Sequence, residues 1–165
     1  MSQSFFHNGT VLLVNDDVNA RIIEATLLEG RGLPVCAVAD GYDACDQLAR
    51  DDLGIAVVVM SLEINAGMNG WQLLRRLRSR FQPTLLPVQP RTVVTTARRD
   101  LETARFVKRL GADAVLQRPI APRDFIDTVE RLMPWASAPL VAQLPQAEAC
   151  GGRASGSRRE VVYGL

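Results

Sequence analysis

Short apolar runs alternate with amphipathic stretches from Thr10 to Met133. Thr10–Val14 (TVLLV) is compact and apolar, as expected of a buried strand. Asn15, Asp16 and Asp17 follow at once, and residues 19–29 then carry Ile22, Ile23, Thr26 and Leu27 on a helical period. Gly30 and Gly32 stop that helix. Residues 35–39 read as a second strand and residues 42–50 as a helix with Ala44, Cys45 and Leu48 inward. Ile55–Ser61 is apolar up to its final serine, the strongest strand signal in the chain. Residues 62–69 predict an irregular loop. Residues 70–81 predict a helix with Leu73, Leu74 and Leu77 inward and Arg75, Arg76, Arg78 and Arg80 mostly outward. Three prolines make residues 82–90 a loop. Arg91–Thr96 is a fourth strand, residues 100–110 a helix ended by Gly111, residues 114–116 a short fifth strand, and residues 122–133 a last helix with Pro122 in its first turn.

Five strands alternating with five helices predict an α/β fold with a parallel sheet covered on both faces. Functional groups in such sheets gather at the carboxyl ends of the strands. The positions to inspect are therefore Asn15, Asp16, Asp17, Ser61, Thr96 and Arg118. After Pro134 the periodicity ends, and Ala, Pro, Gln, Gly and Ser dominate. The expected organisation is an N-terminal extension over residues 1–9, one domain over residues 10–133, and a flexible tail over residues 134–165.

Composition narrows the chemistry. The net charge is +1, so no global field steers the chain toward nucleic acid, and the arginines of the third helix read as a solvated face. No apolar run is long enough to span a bilayer, and residues 1–10 do not resemble a secretory signal. Cys36, Cys45 and Cys150 read as free thiols, which points to the cytoplasm. The single histidine, His7, excludes a histidine-dependent triad or a multi-histidine metal site within the domain.

Five segments, which carry most of these strand-end residues, resemble the receiver domain of bacterial response regulators. The resemblance runs through VLLVNDDVNAR (residues 11–21), ADGYDA (39–44), GMNGWQLLRRLR (67–78), VVTTA (93–97) and GADAVLQRPI (111–120), in order and at suitable spacing. It implies a flavodoxin-like, doubly wound (βα)5 fold with strand order 2-1-3-4-5. It also implies a chemistry: a carboxylate at the end of the third strand takes a phosphoryl group from a sensor kinase. Acidic residues after the first strand bind Mg²⁺ for that transfer. A lysine before a proline pairs with the phosphate, and a Thr or Ser after the fourth strand follows it inward.

Set against that scheme, the acceptor position holds Ser61, with one extra residue in the loop that follows. The first acidic position is Asn15, leaving Asp16, while the lysine position is Arg118, and Thr96 and Pro119 match. A serine hydroxyl without a base is a weak nucleophile, and one carboxylate is a poor Mg²⁺ site. The reading is a non-enzymatic pseudo-receiver: a protein–protein interaction module independent of phosphorylation, with no cofactor expected and Asp16 as the only candidate for residual Mg²⁺ binding. Arg118 is expected to brace Asp16. Asp17 is expected to cap the first helix, Glu63 to be a solvated loop residue, and Thr96 to satisfy nearby backbone.

Two alternatives stand beside it. One is a Mg²⁺-dependent response regulator that accepts phosphate at Asp17, Glu63 or Ser61. The other is a flavodoxin-like enzyme or FMN carrier, disfavoured because Asn-Asp-Asp is not a Gly/Ser/Thr-rich phosphate cradle. The expected partner is a sensor kinase or downstream signalling protein, with no membrane and no direct nucleic acid contact. The resemblance implies that it docks on the face of the fourth helix, fifth strand and fifth helix, at Arg105, Phe106, Arg109 and Phe125, with core as the equal alternative for Phe106 and Phe125, a face also open to homodimerisation. Trp135, and less so Trp71, are further contact candidates.

Overall fold

A computed structural model describes residues 9–50, 54–80 and 89–134. The expected N-terminal extension up to residue 8, the tail from residue 135, most of the proline loop, and His7, Trp135 and Cys150 lie outside these residues. The described chain alternates strictly: β1 (Thr10–Val14), α1 (Val18–Glu29), β2 (Val35–Val38), α2 (Gly41–Leu48), β3 (Ile55–Ser61), α3 (Gly70–Arg80), β4 (Arg91–Thr96), α4 (Leu101–Arg109), β5 (Ala114–Gln117) and α5 (Pro122–Leu132). The strands form one parallel sheet in the order β2-β1-β3-β4-β5, the flavodoxin-like arrangement expected.

The strand alternation explains how one sheet builds two cores. Leu12 and Val14 of β1, with Val58 and Met60 of β3, point toward α2, α3 and α4, where Ala44, Leu73, Leu74 and Val107 complete the layer. Val11 and Leu13, with Val57 and Val59, point the other way, onto Leu28 of α1 and Phe125, Val129 and Met133 of the α5 side. Phe125 is 2% exposed. It is core and not a partner contact, because α5 turns Phe125, Thr128 and Val129 onto the sheet.

The helix starts are chemically marked. Asp17, Asp40 and Asp100 each place a carboxylate oxygen on backbone N–H groups of the first turn of α1, α2 and α4. At the start of α3 the chain needs glycine for space: a Cβ on Gly70 would lie 2.5 Å from the Ser61 carbonyl oxygen and 2.6 Å from that of Leu62. That contact clamps the β3–α3 loop against the end of β3.

α1 departs from its expected orientation. Ile22 and Ile23 are 58% and 60% exposed, and Thr26 is also outside. The side turned toward the fold is Arg21, Glu24, Ala25 and Leu28, of which only Leu28 is fully buried, and Leu27 is half-buried against the same core, as expected. Both sets fall on one side of a helix, so periodicity alone does not separate them. The polar members face inward because they have partners at the carboxyl end of the sheet.

Candidate functional site

The carboxyl ends of β1, β3, β4 and β5 bring Asn15, Asp16, Ser61, Thr95, Thr96 and Arg118 to one end of the sheet. Asn15, Ser61, Thr95 and Thr96 are all at most 2% exposed. Asn15 is fixed from both ends of its amide. Its Oδ1 accepts from the Asp17 N–H at 3.1 Å, and its Nδ2 donates to Glu24 Oε2 at 3.1 Å. Arg21 Nη1 donates to the Asn15 carbonyl at 2.6 Å, so α1 is tied to the exit of β1. Asp17 Oδ1 accepts from the N–H groups of Asn19 and Ala20 at 2.9 and 3.1 Å, the helix-capping role expected of it.

Arg118 does not brace Asp16. Its Nη2 donates to Thr95 Oγ1 at 2.9 Å and lies 3.9 Å from Glu24 Oε1. Asp16 is engaged elsewhere, with Oδ2 accepting from the Asn65 N–H of the β3–α3 loop at 2.8 Å. The half-buried counter-charge for Arg118 is thus Glu24, one element away from the acidic pair. Burial holds the Glu24 carboxyl above its ordinary range, while the hydrogen bond from Asn15 and the charge of Arg118 pull it down. The Arg118–Pro119 peptide that follows is cis.

Glu63 is not a solvated loop residue. Its Oε1 accepts from both the Thr96 hydroxyl and the Ala97 N–H, the latter at 3.2 Å. Its Oε2 is buried and has no hydrogen-bond partner among the described residues. Thr96 Oγ1 in turn accepts from the Arg98 N–H at 3.1 Å, so the threonine is held to neighbouring backbone, as expected, and also to a carboxylate that was not. Ser61 sits buried at the end of β3, next to that arrangement in sequence and sheet.

These donors do not fit a Mg²⁺ ion. A divalent cation needs several hard anionic oxygens free to turn toward it. Asn15 supplies a neutral amide already bonded at both atoms, Asp16 is bonded to the loop, and Ser61 brings a neutral hydroxyl. Among the described residues no cluster of three or more acidic, cysteine or histidine side chains is arranged to hold a metal.

Other expected positions fall apart from this site. Arg105, Phe106 and Arg109 lie exposed on α4, and Phe106 stacks obliquely on Trp71 of α3 with ring centroids 5.6 Å apart. Cys36 and Cys45 are free thiols, with burial raising that of Cys36. Glu24, Arg21, Thr95 and Asn65 were missed in the sequence. The signal for the first two was the polar residues on the helical period Arg21–Glu24–Ala25–Leu28, which mark a helix face turned onto a polar site. Among the described residues no helix is long and apolar enough to cross a membrane.

The fold agrees with known proteins. Ethylene receptor 2 of Arabidopsis thaliana is 29% identical over 136 residues, 80% of this chain and 17% of that protein. The transcriptional regulatory protein GltR of Pseudomonas aeruginosa is 28% identical over 127 residues, 76% of this chain and 50% of that protein. The chain therefore spans half or less of the length of these two relatives. The structure of the receiver domain of the Francisella response regulator 1452 superposes with a TM-score of 0.68 at 20% identity, over 78% of this chain and 98% of that one, a likeness of fold. Residues 11–130, which carry every strand and nearly all of α5, match the response regulator receiver domain, and the chain belongs to that family.

Proposed function

We propose that this receiver domain serves two-component signalling as a non-catalytic protein–protein interaction module whose conformation is set without aspartyl phosphate. The observation that carries the reading is Ser61. The end of β3 offers a buried hydroxyl where the family's scheme needs a carboxylate, and no base is hydrogen-bonded to it among the described residues. The neighbouring groups support it. Asn15 replaces a metal-binding acid and is committed to Glu24, and Arg118 is neutralised inside the chain. The other candidate acceptors have structural duties, Asp17 as a helix cap and Glu63 as an acceptor for Thr96 and Ala97.

Recognition then rests on surface already in place. α1 exposes Val18, Ile22 and Ile23, and α4 exposes Leu101 and Phe106. Isolated exposed apolar residues are ordinary, but three on one helix form a face suited to a partner helix. A sensor kinase or a downstream signalling protein is the partner class, and self-association would use α4.

Incubating the full chain with acetyl phosphate and Mg²⁺ and measuring its intact mass tests the reading. The expected result is an unchanged mass. A phosphorylated species labile to hydroxylamine would overturn it and assign an acyl phosphate. An acid-stable one would assign Ser61.

A further inference from the structure

We infer that Glu63 is a built-in anion: its carboxylate fills the cradle formed by the Thr96 hydroxyl and the Ala97 N–H, and fixes the β4–α4 segment in one position. The inference deepens the reading above and rests on it in one respect, that no phosphoryl group arrives to compete for Thr96. A hydroxyl and a backbone N–H converging on one oxygen make an oxyanion-binding arrangement. Here the anion comes from the chain itself. Glu63 stands two residues beyond the end of β3, and both donors stand at the end of β4, the adjacent strand.

The arrangement leaves Thr96 little freedom. Its oxygen donates to Glu63 and accepts from the Arg98 N–H, and the side chain is fully buried. Rotating the hydroxyl away would break its bond to Glu63, leaving that oxygen only the Ala97 N–H, and would take the acceptor from the Arg98 N–H. Glu63 already carries one buried oxygen without a partner among the described residues, so its other oxygen supplies the whole of its compensation. Charge-assisted hydrogen bonds of this kind are stronger than neutral ones. Loop geometry keeps the carboxylate in reach: Asn65 N–H is pinned to Asp16, and Gly70 packs against the end of β3. Arg98 and Trp71 line the same surface cleft as Glu63, so the latch sits beneath a region a partner can touch.

The test is amide hydrogen exchange of the full chain by NMR, without any phosphate donor, on the wild type, E63A and E63Q, with sodium acetate as the external carboxylate. In the wild type the Ala97 amide is protected and indifferent to acetate. In E63A its exchange rises about tenfold or more, the loss expected for a hydrogen bond to a charged group. Acetate slows it again by occupying the vacated cradle. A folded E63A with wild-type protection at Ala97, or one whose faster exchange acetate leaves unchanged, overturns the inference. E63Q keeps an acceptor oxygen but no charge, so it must fall between the two. If E63A does not fold, E63Q decides alone, and wild-type protection in it overturns the inference. The two readings fail separately. A phosphorylated wild type would end the phosphate-independent function while leaving the exchange result standing, and an unmoved Ala97 would remove the latch without touching the mass measurement.

Discussion

Asn15 shows how one side chain decides what its neighbours are able to do. The amide is bipolar, so it accepts from Asp17 N–H at one end and donates to Glu24 at the other. A carboxylate at the same place would keep the first bond and turn the second into repulsion between a buried acid and a half-buried one. Asn15 and Glu24 are therefore matched, and restoring the acid that a metal site needs would break the brace. Asn15→Asp is expected to destabilise the fold at neutral pH by about 1–3 kcal/mol, the cost of leaving a buried polar group without its partner. Adding Glu24→Gln should return most of that loss, since an amide at residue 24 donates to the new carboxylate. Urea unfolding of the two single variants and the double variant measures the coupling. Additive effects would mean that the pair does not act as a unit.

At the scale of elements, the strands were legible in the sequence and the orientation of α1 was not. β1 and β3 announce themselves because a strand buried on both faces has to be apolar nearly throughout, β4 because Thr and Val make its central positions β-branched, and the bounds of all three agree with the structure. α3 was equally plain, since Leu73, Leu74 and Leu77 are its only apolar stripe. α1 carries two candidate helical stripes, and Ile22, Ile23 and Thr26 of the more apolar one face out. Hydrophobicity picks the inward face only when that face has nothing to do but pack. Here Arg21 and Glu24 spend it on Asn15 and Arg118. The site suffered the same limit: Asn15, Ser61, Thr96 and Arg118 were found by position after a strand, whereas Glu24 and Thr95 required knowing which elements meet. The outward stripe makes a contrast that can be measured. Ile22→Ser with Ile23→Ser should change stability by no more than about 0.5 kcal/mol per substitution, as at other surface positions. Leu28→Ala on the opposite side should cost about 2–5 kcal/mol. If α1 is the docking face, the double serine variant loses the partner in a pull-down while its unfolding midpoint stays put. A variant that unfolds early would show that the isoleucines pack.

Across the whole molecule, Glu24 joins parts of the chain that are far apart in sequence: the exit of β1 through Asn15, its own helix α1, and the start of the β5–α5 connection through Arg118. A second tie between the same regions, Arg31 to Glu130 at 2.9 Å, is exposed, and solvent screens it. The half-buried tie leaves a mark on the stability of the entire fold as a function of pH. Burial raises the Glu24 pKa above its ordinary 4.5 and outweighs the opposing pull of Asn15 and Arg118. In the window between 4.5 and the raised value the folded chain therefore holds more protons at this group than the unfolded chain does. Acidification through that window favours folding as far as Glu24 is concerned, and the opposition of its carboxylate to folding is complete above the window. Carboxylates with lowered values act in the other direction. Asp100, held down chiefly by its hydrogen bond to Thr103, stabilises above its unfolded value and loses that contribution as the pH falls through its folded one. Because Asp100 and its like are present in both proteins, comparing wild type with Glu24→Gln cancels them and isolates Glu24. Denaturation at a series of pH values from neutral down to 4.5 should show the stability difference moving in favour of the wild type as acid is added, and staying level above the window. A difference that moves toward the glutamine variant on acidification would mean that pairing with Arg118, and not burial, governs this carboxylate. Glu24 would then be an ordinary stabilising ion pair linking α1 to the end of β5.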